Sequence, residues 1–145
     1  MNRDFEIANR NSRKKLRALI EGLTDEQLSL PAVAGWTIAA TLAHIAFWDN
    51  RILYLLNYWK ENEITPSPYD VDAINEAHKP LCLSLAPRTA ALLALQAAEA
   101  IDAEIEKAPD ELVKKILAAK VQFKFERNVH REYHLKEIEE VLNKK

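Results

Sequence analysis

Residues 37–61 of this chain, TIAATLAHIAFWDNRILYLLNYWKE, decide its fold. Apolar side chains recur in this stretch at three- and four-residue steps, with no glycine or proline, which predicts a single long helix. Thr37 stands directly before the first apolar residue, where its hydroxyl can cap the free amides of the first turn. The predicted buried face consists of Ile38, Thr41, Ile45, Trp48, Ile52, Leu55, Leu56 and Trp59. We therefore expect a helix from Thr37 to about Glu61.

The same periodicity predicts three more long helices, so the chain is expected to be all-α. Gly22 is a typical stop for the first helix, and Pro87 is well suited to the first position of the third. The predicted long helices cover about residues 4–22, 37–61, 87–108 and 120–142, with short helices near Val71–His78 and Glu111–Leu117. Residues 64–86 lack sustained periodicity and contain three prolines, which predicts a long connection between helices two and three.

The length of that connection determines which topology the expected four-helix bundle can have. Helix two spans about 37 Å at a rise of ~1.5 Å per residue, and a connection of about two dozen residues can run back over that distance. Helices two and three can therefore be parallel, which gives an up-down-down-up bundle. Residues 1–145 contain no internal repeat and no linker-like composition, so we expect one domain.

Composition narrows the class of protein and of partner. The 145 residues include 20 lysines and arginines against 22 aspartates and glutamates, a formal net charge of -2, without the basic field that nucleic-acid binding needs. The longest apolar stretch, Ile38–Trp48, is interrupted by His44 and is too short to cross a bilayer. A single cysteine cannot form an internal disulfide, and no apolar run follows the N-terminus. We therefore expect a cytoplasmic protein with a small-molecule partner, and neither nucleic acid nor membrane.

Histidines are the candidate metal ligands. His130 and His134 are four residues apart, so on a helix both rings leave the same face and can bind one divalent metal. In the predicted bundle, His44 of helix two lies within one turn of their level. Three imidazoles from two helices would leave open coordination positions, the pattern typical of catalytic metal sites. His78, in the long connection, is expected to be exposed and outside this site.

Simpler interpretations of the histidines stay open at this point. A lone histidine on an apolar face, such as His44, is usually a core residue bonded to a backbone carbonyl. With four histidines in the chain, a pair spaced by four residues arises by accident roughly one time in ten. The catalytic residues beyond the ligands are unknown from the sequence.

Charged residues near the histidines are candidates for the surrounding site. These are Arg127, Arg131 and Glu137 on helix four and Arg51 on helix two. An arginine near the opening could hold a substrate carboxylate, although a solvated charged face is the commoner role for each residue. Asp49 is expected to support the site or to cap a helix. The start of helix three is expected at the metal's end of the bundle, where its dipole would favour an anion.

Two further features have both a structural and a functional interpretation. Cys82 is most simply a buried apolar cysteine, with a nucleophile as the alternative. A stripe of Phe47, Arg51, Tyr54 and Tyr58 lies beside the buried face of helix two. It could pack on a neighbouring helix of the same chain, or it could form a homodimer surface, because aromatic residues and arginine are enriched in interface cores.

Residues 35–49, GWTIAATLAHIAFWD, resemble the signature of the DinB-like (YfiT-like) superfamily. That signature has a tryptophan followed by serine or threonine, then a Leu-Ala-His step and a Trp-Asp or Trp-Glu pair. Residues 129–135, VHREYHL, are similar to the second motif of the family, a His-x-x-x-His near the C-terminus. Residues 72–76, DAINE, resemble the segment that carries a recurring asparagine in the family's crossover. The resemblance covers most of the chain.

The resemblance implies an up-down-down-up four-helix bundle, often a homodimer, with a divalent metal, nickel or zinc, on His44, His130 and His134. Characterised relatives include thiol S-transferases and isomerases that use mycothiol, bacillithiol or glutathione, and other relatives have been described as metal-dependent hydrolases. A divalent ion with neutral ligands lowers the pKa of a bound thiol or water. The expected function is therefore transfer of a low-molecular-weight thiol to an electrophilic small molecule. A metal-dependent hydrolase and a non-catalytic small-molecule-binding or sequestering bundle are the alternatives.

Overall fold

The computed structural model describes residues 1–144, which are helical apart from loops and one isolated bridge between Pro31 and Thr37. The α-helices are α1 (Phe5–Gly22), α2 (Asp25–Leu28), α3 (Ile38–Glu61), α4 (Val71–Ser84), α5 (Pro87–Lys107), α6 (Asp110–Ala119) and α7 (Arg127–Asn143). A 3₁₀ turn at Val33–Gly35 precedes α3. The predicted all-α class is confirmed. Within the described residues, no helix combines the length and the apolar character that crossing a membrane requires.

Helix α3 begins and ends where the sequence predicts. The Thr37 hydroxyl accepts a hydrogen bond from the Ala40 amide at 3.0 Å. The first half of α3 is buried on nearly every side, because small residues let α3 and α5 approach closely. The alanines of this contact are Ala39, Ala40, Ala43, Ala90, Ala91, Ala94 and Ala98. Trp48, predicted to be buried, is only partly so, and its Nε1 donates to Asn75 Oδ1 of α4 at 3.0 Å.

Two apolar clusters fill the interior. The first joins the first halves of α3 and α5 to the second halves of α1 and α7. The second contains Ile52, Leu55, Leu56 and Trp59 of α3, Ile101 and Ile105 of α5, Val113 and Ile116 of α6, and the loop residues Phe123 and Phe125. The first cluster joins all four long helices, and the second joins α3 and α5 to α6 and to the loop before α7.

A buried ionic cluster lies where α3 and α5 pass from one apolar cluster to the other. Arg131 of α7 is fully buried and donates to both carboxylate oxygens of Asp102 of α5, at 2.8 and 2.9 Å. Its Nη2 also donates to Asp49 of α3 at 3.1 Å. Arg127 donates to the other oxygen of Asp49 at 2.9 Å, and Arg13 of α1 donates to Asp102 at 2.6 Å. These ion pairs tie together α1, α3, α5 and α7.

The start of the last helix differs from the prediction. Helix α7 begins at Arg127 and not near Lys120. Phe123 and Phe125, two residues apart, both pack in the second apolar cluster. A two-residue step places side chains on one side of an extended segment, whereas in a helix it would separate them. Because these two rings pack on the same side, the segment stays extended and the helix begins only at Arg127.

Helix α4 is longer than predicted. It continues beyond His78, through Pro80, to Ser84. Proline lacks the backbone amide that would bond to the preceding turn, so Pro80 favours an end of regular structure. The helix persists because Cys82, four residues after His78, packs in the first apolar cluster.

Candidate metal centre

Three histidine rings meet between α3 and α7. His44 belongs to the alanine-rich half of α3, and His130 and His134 lie one turn apart on α7. The Nε2 atoms of His44 and His130 are 3.2 Å apart, and those of His130 and His134 are 3.0 Å apart. Each ring offers a nitrogen within 4.8 Å of the other two, and such a group could hold a metal ion. The three residues predicted as ligands are therefore together in the fold.

His78 lies directly behind this group, and its predicted exposure was wrong. It is 6% exposed, and its Nε2 is 2.9 Å from Nδ1 of His44. Its own Nδ1 is 2.7 Å from the carbonyl oxygen of Ile74. Since that carbonyl can only accept, Nδ1 of His78 carries the proton and Nε2 accepts one from Nδ1 of His44. Nε2 of neutral His44 is then a free lone pair that faces the other two histidines.

Glu137 fixes the second ring in the same way. Its carboxylate lies 2.6 Å from Nδ1 of His134. Because the carboxylate is an acceptor, Nδ1 of His134 carries the proton and Nε2 keeps a lone pair. Nδ1 of His130 is buried and has no hydrogen-bond partner among the described residues.

This donor set fits a divalent cation. A tetrahedral ion with bonds of about 2.0–2.1 Å to imidazole nitrogen separates its ligand atoms by roughly 3.3–3.4 Å, close to the Nε2 separations of 3.0 and 3.2 Å. Two of the three Nε2 atoms carry lone pairs, and a proton on the third can be donated to only one of them. A cation at the centre would remove the lone-pair repulsion that remains.

A cavity of about 280 Å³ opens beside His44 and His134. Its lining includes the apolar side chains of Val33, Trp36 and Ile138, the amide of Asn75, and the carboxylates of Asp72, Glu76 and Glu137. Neither Arg127 nor Arg131 lines it, and no residue of α5 does so among residues 1–144. Among residues 1–144, an arginine that could hold a carboxylate at this opening is therefore absent from its lining. The start of α5 does lie beside the half of α3 that carries His44, as expected, because both pack in the first apolar cluster. The walls are acidic and apolar.

Sequence comparison places the chain in a family. A family model described as the DinB superfamily matches residues 8–138. The chain belongs to the DinB superfamily. The predicted family is confirmed, and the matched segment includes all four histidines. Comparisons with curated proteins and with solved structures give no match.

Burial keeps the clustered histidines of this DinB-superfamily chain neutral. It lowers the pKa of His44 to about 3, and His134 and His78 add to the effect. It is also the main cause that lowers the pKa of His130 to about 2. Burial lowers the pKa of His134, while Glu137 opposes that shift. Neutral imidazole is the form that binds a metal.

The remaining candidates of this DinB-superfamily chain lie elsewhere. Asp49 neither caps a helix nor contacts a histidine, because it is buried with Arg127 and Arg131. These arginines are not on a solvated face, since Arg131 is fully buried and Arg127 is 7% exposed. Cys82 is a buried apolar cysteine whose pKa is raised by burial, which disfavours the thiolate that a nucleophile needs.

Two buried titratable residues, His78 and Asp102, were missed from the sequence, and both carry a signal that could have found them. Ile74, His78 and Cys82 recur at four-residue steps, which puts His78 on one face with two apolar residues. Asp102 stands inside the apolar stripe of α5, four residues after Ala98. A charged residue at such a position is buried only when it is paired, so it indicates an interior partner.

Proposed function

We propose that this chain is a metal-dependent enzyme that transfers a low-molecular-weight thiol to an electrophilic small molecule. The proposed ligands of its divalent cation, nickel or zinc, are His44, His130 and His134. The observation that carries the proposal is the meeting of three imidazole nitrogens beside a cavity of about 280 Å³. Three protein ligands leave coordination positions for a reactant.

The residues around the histidines prepare them for this role. His78 and Glu137 hold the protons of His44 and His134 at Nδ1, so that each Nε2 presents a lone pair. When bound, the cation would lower the pKa of a thiol or water beside it and hold the anion as a nucleophile. The ring of Trp36 packs against that of His44 in a T-shaped arrangement, with 5.3 Å between ring centroids. Together with Ile138 it gives the cavity apolar walls, which suit a weakly polar electrophile.

We also propose the up-down-down-up order for α1, α3, α5 and α7. At the start of α1, Arg3 donates to the carbonyl of Ile105 near the end of α5. At the other end of α1, the carbonyl of Leu23 accepts from Arg88 at the start of α5. These contacts favour antiparallel α1 and α5. Helices α3 and α5 share one apolar cluster through their first halves and the other through their second halves, which favours parallel packing.

A homodimer of this single-domain chain, residues 1–145, is proposed through the outer face of α3. Tyr54 and Tyr58 stack at 5.9 Å between ring centroids and are 65% and 43% exposed. Phe47 of the same stripe stacks on His78 at 4.2 Å, and Arg51 donates to the carbonyl of Ser67, so these two residues pack within the chain. Sedimentation of wild type and Tyr54→Ser tests the dimer, which the substitution is expected to weaken.

Metal content tests the proposed site. Protein purified without an affinity tag is expected to contain about one nickel or zinc per chain by elemental analysis. His44→Ala is expected to lose it, whereas Asn50→Ala, at an exposed position of the same helix, is expected to keep it. If the wild-type chain neither contains nor takes up these ions, the enzyme proposal fails.

Reaction with a model electrophile tests the chemistry. Glutathione, bacillithiol and mycothiol are each offered with the metal-loaded protein and with protein treated with a chelator. We expect metal-dependent conjugation with at least one thiol. Metal-dependent ester or amide hydrolysis without conjugation would favour the hydrolase alternative, and binding of the electrophile without turnover would favour the sequestering bundle.

A further inference from the structure

A second cavity, of about 270 Å³, has the opposite charge from the histidine cavity. Its lining includes the rings of Trp48 and Tyr69 and the cationic side chains of Arg51, Lys124 and Arg127. Among residues 1–144 no carboxylate lines it, and it shares no lining residue with the histidine cavity. A small cavity with three cations and no anion calls for a negatively charged ligand.

Arg127 presents unused hydrogen-bond donors to this cavity. Its side chain is 8% exposed, and its Nε donates to Asp49 at 2.9 Å. Its two Nη groups donate to no residue among residues 1–144, and neither of them is fully enclosed by protein atoms. Because Arg127 lines the cavity, these Nη groups are the donors that it can offer to a ligand there. The Asp49 contact holds the guanidinium group at Nε and leaves its Nη edge without a partner among residues 1–144.

Arg51 is held rigidly at the same cavity. Its Nη2 donates to the carbonyl of Ser67 at 2.8 Å, and its Nη1 donates to the carbonyl of Gln122 at 3.0 Å. Its guanidinium carbon lies 4.4 Å from the centre of the Tyr69 ring. These contacts join the connection after α3 to the loop before α7. This side chain would therefore lose little further conformational entropy when a ligand binds to it.

Positive charge around this cavity exceeds negative charge. Three arginines, Arg13, Arg127 and Arg131, share the two carboxylates of Asp49 and Asp102, so one positive charge of the buried ionic cluster is unmatched. Burial lowers the pKa of Arg51, and the charge of Arg127 adds to that effect. An anion between Arg51 and Arg127 would remove their mutual repulsion.

We propose that this cavity binds a small oxyanion, a carboxylate or phosphate group, between Arg51, Lys124 and Arg127. The two Nη groups of Arg127 match the two-oxygen edge of such a group, and Lys124 adds a point charge. The binding requires no metal, so the proposal stands or fails separately from the metal centre.

Titration calorimetry of the full chain with inorganic phosphate tests the site. Protein as purified and protein treated with a chelator are both titrated, with chloride at equal ionic strength as the blank and acetate as the carboxylate probe. We expect saturable phosphate binding of equal affinity in both forms. Acetate binding in addition would indicate recognition of the shared oxyanion edge, and phosphate binding alone would identify the ligand as a phosphate group.

Charge reversal at the cavity supplies the control. Lys124 is exposed, so Lys124→Glu leaves the core intact, and it is expected to weaken phosphate binding about tenfold or more. Lys114→Glu makes the same charge change at an exposed position of α6 and is expected to alter the affinity less than about twofold. The proposal is overturned by the absence of saturable binding, by equal losses in the two variants, or by binding that disappears with the metal.

Discussion

His78→Ala is expected to weaken zinc binding by about 10- to 100-fold, although His78 is not a proposed ligand. In the wild-type chain, Nδ1 of His44 lies 2.9 Å from Nε2 of His78, and His44 is 6% exposed. Without His78 the buried Nδ1–H has no acceptor, which costs about 1–3 kcal/mol. Metal-free protein can avoid this cost by moving the proton to Nε2, whereas the zinc-bound form cannot, because Nε2 is the proposed ligand atom. The cost therefore falls on the bound state, where it corresponds to about 5- to 150-fold in affinity.

Competition with a zinc-chelating dye measures the affinity, and nitrogen-15 spectra of His44 report its tautomer. His78→Gln offers an amide oxygen that can accept the same proton, so it is expected to recover most of the affinity. Asn75→Ala is the matched control, since it removes another hydrogen bond between α4 and α3, 3.0 Å long, that involves Trp48 and no histidine. Equal losses in His78→Ala and Asn75→Ala, or wild-type affinity in His78→Ala, would refute this reasoning.

Three further outcomes follow from buried groups and one helix end. In a urea titration, Arg131→Met is expected to lower the free energy of unfolding by about 3–5 kcal/mol, because it leaves two buried carboxylates short of a partner. The control Arg10→Met removes an exposed ion pair and is expected to lower it by less than about 1 kcal/mol. In thermal melts, chelator-treated protein is expected to lose stability as the pH falls from about 6.5 toward 3. The pKa values of His44 and His130 are lowered in the folded chain, so the unfolded chain binds protons at a higher pH. A melting temperature that does not change over this pH range would contradict this. Thr37→Ala removes the cap of α3 and is expected to cost about 1 kcal/mol by the same melts.

Local signals made most helices predictable from the sequence. The bounds of α3 follow from Thr37, which caps the helix at Ala40, and from an apolar face unbroken by glycine or proline. The three histidines were predictable as a group because spacing along α7 and the level of α3 are both set by helix geometry. These inferences need only regular backbone.

The errors occurred where packing between distant segments overrides local pattern. Phe123 and Phe125 delay the start of α7 because the second apolar cluster takes both rings. His78 was missed because Pro80 suggests that regular structure stops nearby, whereas Cys82 carries α4 into the core. Arg131 was placed near solvent because an arginine is buried only when partners surround it, and one of those partners, Asp102, stands 29 residues away.

The ionic cluster supports the candidate metal centre through position rather than through contact. Asp49 follows His44 by five residues on α3, and Arg131 follows His130 directly on α7. The pair between Asp49 and Arg131 therefore fixes the register of α7 against α3 close to the histidines. A slip of one helical turn, about 5.4 Å, would separate these buried charges at a large cost and would carry His130 away from His44. The arginines expected to bind substrate are thus part of the reason that three nitrogens meet.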